Sequence, residues 1–203
     1  MRSLSEIDTT SKRASKAAGY SWGISEEVGK NIRMLEMFGL PGVKNLNDFY
    51  KKKKIKKFKN LSKITKNNKS QNSTFCPIIA GVNFMDQVKS LEILKEIKFH
   101  NIAYPLLFLP FVSRASEVVG KRLFLTIDKR EFLLNYNSYI YSNFRNNNVI
   151  ELGNKISIKF LKNRDSFSQK EWSELYKLSE DTFVEETDSL KKSGAGAGLT
   201  DND

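Results

Sequence analysis

Apolar positions in the first fifty residues recur every three or four, the spacing of helices buried on one face. Leu4, Ile7, Ser11, Ala14 and Ala18 form the first stripe, with small residues where a close neighbour would sit. Ser3-Leu4-Ser5-Glu6 has the spacing of a capping box, and Gly19 is a natural stop. After Tyr20-Ser21-Trp22-Gly23-Ile24, Ser25 is expected to cap a second helix. Glu26 and Glu27 then fall in its first turn, where acids favour the helix dipole. Its apolar face is Val28, Ile32, Leu35 and Phe38, and Gly39 ends it. Pro41 opens a third helix carrying Val43, Leu46, Phe49 and Tyr50, which runs out into lysines.

Further on, Cys76-Pro77 begins a short apolar helix with Ile78, Ile79, Val82 and Met85, and 96–102 reads as a strand. Pro105 starts a helix over 106–119 that is apolar almost all round, with a kink expected at Pro110 and a stop at Gly120. The period then changes to two. Residues 122–127 and 131–134 flank Asp128-Lys129-Arg130 as a hairpin, and Tyr139-Ile140-Tyr141 suits a third strand. A second hairpin is expected from 149–152 and 155–160, turning at Gly153-Asn154. Ser168-Gln169-Lys170-Glu171 is another capping box, opening a helix with Trp172, Leu175, Tyr176, Ser179 and Phe183 along one face. The class is α+β: an N-terminal helical unit, then a mostly antiparallel sheet with helices packed on one face. The expected division is a helical unit at 1–55, a Lys/Asn-rich linker or loop at 56–75, an α+β body at 76–190 and a Gly-rich tail at 191–203.

Charge changes this picture in one place. The chain carries a formal +11, yet ten lysines and no acid lie between Lys51 and Lys69, which leaves +1 for the rest. Lysines displace counterions from phosphate, so a nucleic-acid footprint is one reading. Against nucleic acid, the run holds no arginine and only Phe58 as a stacking ring. The favoured reading is a solvated helix end and loop, since Lys66 to Ser73 is too polar to offset its ordering entropy. Lysine and asparagine are abundant throughout, as an A/T-rich genome would produce. No stretch approaches the roughly 20 apolar residues of a membrane span, and the start lacks the apolar run of a signal peptide. A cytoplasmic location is therefore expected.

Candidate chemistry is sparse. One cysteine and one histidine exclude an internal disulfide and any multi-histidine metal site. Cys76 before Pro77 sits where a helix N-terminus would activate a thiol, and His100 would be its base. Tyr20 and Trp22, in a glycine-bounded connection, either line a pocket or partner groove or, for Trp22, fill the core between two helices. Tyr104, before Pro105, is a further candidate at a helix entry. In the tail, Gly194, Gly196 and Gly198 allow close backbone approach, Leu199 would anchor it, and Asp201 and Asp203 could meet a hard cation or a basic surface. The tail lacks the flanking strand, helix and lysine of a phosphate-binding loop.

Three stretches resemble an uncharacterised bacterial domain-of-unknown-function family. They are Ser5 to Lys30 with its Ala17-Ala18-Gly19-Tyr20-Ser21-Trp22-Gly23 core, Ala103 to Phe111 following Cys76-Pro77, and Gly194 to Asp203. The resemblance implies one complete unit and brings no activity, cofactor or catalytic residue. The reading that follows is a binding or accessory module contacting a partner enzyme or a small ligand through the tail and the Tyr20/Trp22 loop. A small-molecule enzyme using Cys76 and His100, or acids from Glu26, Glu27 and the tail, is the alternative. Nonspecific nucleic-acid binding through Lys51 to Lys69 comes third. No cofactor or oligomeric state follows from the residues.

Overall fold

A computed structural model describes residues 2–70, 72–135, 138–144, 148–163 and 165–182. Contacts divide the chain into two units, Met1–Asn163 and Arg164–Asp203.

The first unit opens with α1 (Leu4–Ala17), where the Ser3 hydroxyl accepts from the Glu6 amide at 3.1 Å. α2 (Trp22–Met37) starts one turn earlier than expected. Ser21 is its cap, accepting from the Ile24 amide, and Ser25 is buried inside it, donating to the Ser21 carbonyl at 2.8 Å. Two serines four residues apart compete for one cap. The earlier one is the cap, and the helix it opens packs closely on α1: a Cβ on Gly29 would meet the Asp8 carboxylate at 2.5 Å. α3 (Gly42–Lys53) follows Pro41 as expected and ends in three lysines, favourable at the negative end of a helix.

Six strands form one sheet: β1 (Asn67–Asn68), β2 (Glu96–Ala103), β3 (Leu123–Ile127), β4 (Arg130–Asn135), β5 (Tyr139–Ser142) and β6 (Leu152–Phe160). Their order is β1-β2-β6-β3-β4-β5, antiparallel throughout except for the parallel β1/β2 pair. α4 (Pro77–Leu91) and α5 (Leu109–Val118) pack on one face. There Phe84, Phe99 and Phe108 meet edge to face, with centroids 5.2–6.4 Å apart, over Leu125, Phe132 and Ile158. Glu27 of α2 bonds Arg114 of α5 and ties the helical end to this layer.

Two local expectations are corrected. Pro110 does not kink a long helix. A 3₁₀ turn (Pro105–Leu107) precedes α5, and Pro110 sits in its first turn, where a missing amide and a fixed φ are tolerated. Gly153-Asn154 is not a turn either, because β6 runs straight through it, paired there with β2 and from Ile156 onward also with β3. The glycine is needed for another reason: a Cβ there would meet Ile156 at 2.9 Å and Pro105 at 3.1 Å.

The segment from Lys59 to Phe75 lies against the sheet edge. Phe75 donates its amide to Asn101 at 2.8 Å, and Cys76 donates to Lys59 at 2.9 Å. Asn68 is buried, bonding the Lys98 carbonyl and the Thr65 amide, while Ile64 and Phe75 are core residues.

In the second unit, α6 (Gln169–Glu180) carries the expected capping box, with both Ser168–Glu171 bonds formed. Trp172, Leu175 and Tyr176 are exposed, and Phe167 stacks on Trp172 at 5.4 Å. Phe183, expected on the same face, lies outside the described residues. Among the described residues no helix is long and apolar enough to cross a membrane.

Candidate functional site

The connection between α1 and α2 reverses at Gly19, whose φ of +94° suits glycine, and swings Tyr20 into the protein. The Tyr20 hydroxyl lies 3.4 Å from the Cys76 sulfur. Burial first, then the neighbouring Cys76 and Tyr50, push its pKa up, so the phenol stays protonated. Behind it, Tyr50 donates to the Ser15 hydroxyl at 2.6 Å, and its ring lies 6.3 Å from that of Tyr20. Phe49 joins this cluster to Phe58 at 5.2 Å and to Tyr104 at 5.7 Å.

Lysines close over these aromatics. Lys53, the last residue of α3, sets its ammonium 3.9 Å from the Tyr20 ring centre and donates to the Ala18 carbonyl at 2.7 Å. One side chain thus caps the end of α1 and makes a cation–π contact. The chain then turns and brings Lys56, Lys57 and Phe58 to the same place. The result is an open cavity of about 410 Å³. Tyr20, Ile24, Phe58, Cys76 and Ile79 line it, and Lys53, Lys56 and Lys57 stand around it without a single carboxylate among its walls. It can hold a small anion against an apolar floor. A hydroxyl and a thiol at the base supply weak hydrogen bonds.

A smaller hollow of about 180 Å³ shares Lys56 and Phe58 and adds Tyr104, Lys52 and Glu151. Tyr104 has φ 43° and ψ 58°, a left-handed conformation that bulky residues rarely adopt, and its amide donates to Glu151 at 2.9 Å. Burial, then Glu151 and Asp48, raise its pKa. A larger hollow, about 680 Å³, lies beside Leu4, Ile7 and Val43 on the helical end, and its Arg2 and Glu6 are already paired.

Several nominated residues fall elsewhere. Trp22 is not in the core: it is 56% exposed at the start of α2, with Lys12 and Lys16 within 6 Å of its ring. Glu26 and Glu27 have separate partners. Glu26 pairs with Lys12, whereas Glu27 pairs with Arg114 and Lys30. Cys76 and His100 do not meet in the cavity, for His100 lies on the sheet opposite Lys155. Gly194, Gly196, Gly198, Leu199, Asp201 and Asp203 lie outside the described residues. Among the described residues no three acids, cysteines or histidines cluster as metal ligands.

The structure does bring together Tyr20 and Cys76, and adds three lysines that the sequence reading assigned to solvent. The available signal was Lys53 following Phe49 and Tyr50 on one helix, and Phe58 inside the lysine run.

Residues 2–75 match the family model described as Protein of unknown function (DUF3726), which bears out the resemblance to a domain of unknown function. The match covers α1 to α3, the lysines and Phe58. No curated protein and no solved structure matches the chain.

Proposed function

We propose that this protein is a ligand-binding module whose cavity beside Tyr20 takes a small anion bearing an apolar portion. One observation carries the reading: Lys53, Lys56 and Lys57 surround a concave, aromatic-floored space that contains no carboxylate. Among the described residues no acid lies within ion-pair distance of any of the three. An anion entering there gains charge–charge attraction without displacing a carboxylate, and its apolar part covers Tyr20, Ile24 and Ile79. Lysines act as point charges rather than planar forks, so carboxylates and phosphates are both suitable headgroups.

Differential scanning fluorimetry with inorganic phosphate, citrate and octanoate tests this. A ligand at a hundred times its Kd stabilises by about 2.7 kcal/mol, several degrees in Tm for a domain of this size. The wild type is expected to shift with at least one of these anions, and Lys56→Glu/Lys57→Glu to lose that shift. Silence with all three, or shifts that survive in the double variant, would remove the reading. Alkylation of Cys76 by a thiol reagent should also slow when the cavity is filled.

A further inference from the structure

The two faces of the sheet differ. α4 and α5 cover the face carrying Ile97, Leu125, Phe132 and Ile158. The other face carries the alternate residues of the same strands. On β2 and β6 these include Lys98, Lys155 and Lys159, all exposed. On β5 they are Tyr139 and Tyr141, 55% and 60% exposed, whose rings stack at 5.9 Å and 22°. The register runs one row straight across: Lys159 opposite Phe124, Phe124 opposite Leu133, Leu133 opposite Tyr141. A second row pairs His100 with Lys155.

We propose that this open face binds single-stranded nucleic acid, with the lysines of β2 and β6 on phosphates and Tyr139 and Tyr141 stacking on bases. Charge complementarity is the first support. Glu96 offsets Lys98 at 3.4 Å and Lys159 at 3.8 Å, and exposed Glu131 stands in the same cross-strand row as Lys98, but among the described residues no carboxylate pairs with Lys155. Burial first, then Lys69, Lys155 and Lys98, lower the pKa of His100, so the positive field on this face comes from the lysines. The second support is the aromatic platform. Unpaired bases stack on exposed rings whatever their sequence, whereas a duplex keeps its bases inside. The span is also suitable. From β2 to β5 is four strand spacings, about 19 Å, a surface broad enough for a few nucleotides. The objection raised by the sequence was that the lysine run holds only one ring. Folding answers it with rings from distant strands and lysines from outside the run.

The test uses the full chain and a fluorescein-labelled oligo(dT), read by anisotropy at about 50 mM salt. Wild type is expected to bind the single strand more tightly than a duplex of equal length. Tyr139→Ala/Tyr141→Ala should weaken binding at least tenfold, and Lys98→Gln/Lys155→Gln should flatten the salt dependence. All four side chains are surface groups, and circular dichroism together with Tm confirms that each variant is folded. No binding, equal binding to the duplex, or affinity untouched by both variant pairs would overturn the proposal.

Discussion

The cavity beside Tyr20 and the open face of the sheet both present lysines, yet their surroundings differ. Around the cavity the lysines come from one stretch of chain, stand over a concave aromatic floor and meet no acid. On the sheet they come from strands separated in sequence, lie flat and are partly offset by Glu96. Equal charge therefore suits different ligands: a small anion enclosed in the first place, an extended chain laid across the second. Shape and counter-charge decide, rather than the number of lysines.

Phe49→Ala should break the comparison hardest. Phe49 is fully buried and holds Tyr50, Phe58 and Tyr104 in one cluster. Removing its ring is expected to cost about 3–5 kcal/mol in urea unfolding. Anion-induced stabilisation should disappear with it, whereas oligonucleotide binding by the folded fraction should persist. Equal loss of both would mean the two regions are one site.

Tyr20→Phe is a finer cut. It deletes the hydroxyl beside the Cys76 sulfur and keeps the ring under Lys53. About 1 kcal/mol of stability should go. Cys76 should also alkylate faster, as its neighbour no longer covers it. An unchanged alkylation rate would show that the ring, not the hydroxyl, shields the thiol.

The smallest effect belongs to the sheet. The Glu96 carboxyl is held below its usual pKa, first by the Ser157 hydroxyl and, against the opposing effect of burial, by Lys98 and Lys159. A carboxyl depressed in the folded state contributes stability above its unfolded pKa and loses it as pH falls through the folded value. Any such contribution from Glu96 should therefore vanish only below about pH 4.3. Glu96→Gln should raise oligonucleotide affinity about twofold, the scale of an exposed ion pair, and leave anion binding at the cavity unchanged. A fall in oligonucleotide affinity would place Glu96 among the groups that position the strand.

Helix periods, the Ser168 capping box, Pro41 and the first hairpin were legible because each depends on residues within a few positions of one another. Where two local signals competed, tertiary contact chose. Ser21 capped α2 instead of Ser25, which is buried in the packed helix and bonds the Ser21 carbonyl. Gly153-Asn154 reads as a turn, yet β2 pairs through it and β3 joins from Ile156 onward, so one long central strand satisfied more hydrogen bonds than a hairpin. The candidate sites show the same division. The residues themselves determined that Tyr20 sits in a tight reversal, that Cys76 begins a helix and that positive charge concentrates after Phe49. Only the fold decided that Lys53, Lys56 and Lys57 meet Tyr20 and Cys76, that Trp22 faces outward, and that Tyr139 and Tyr141 share a face with Lys98 and Lys155. Local order follows from backbone geometry over a turn or two, whereas a site joins distant residues whose meeting depends on which apolar surfaces the whole chain buries together.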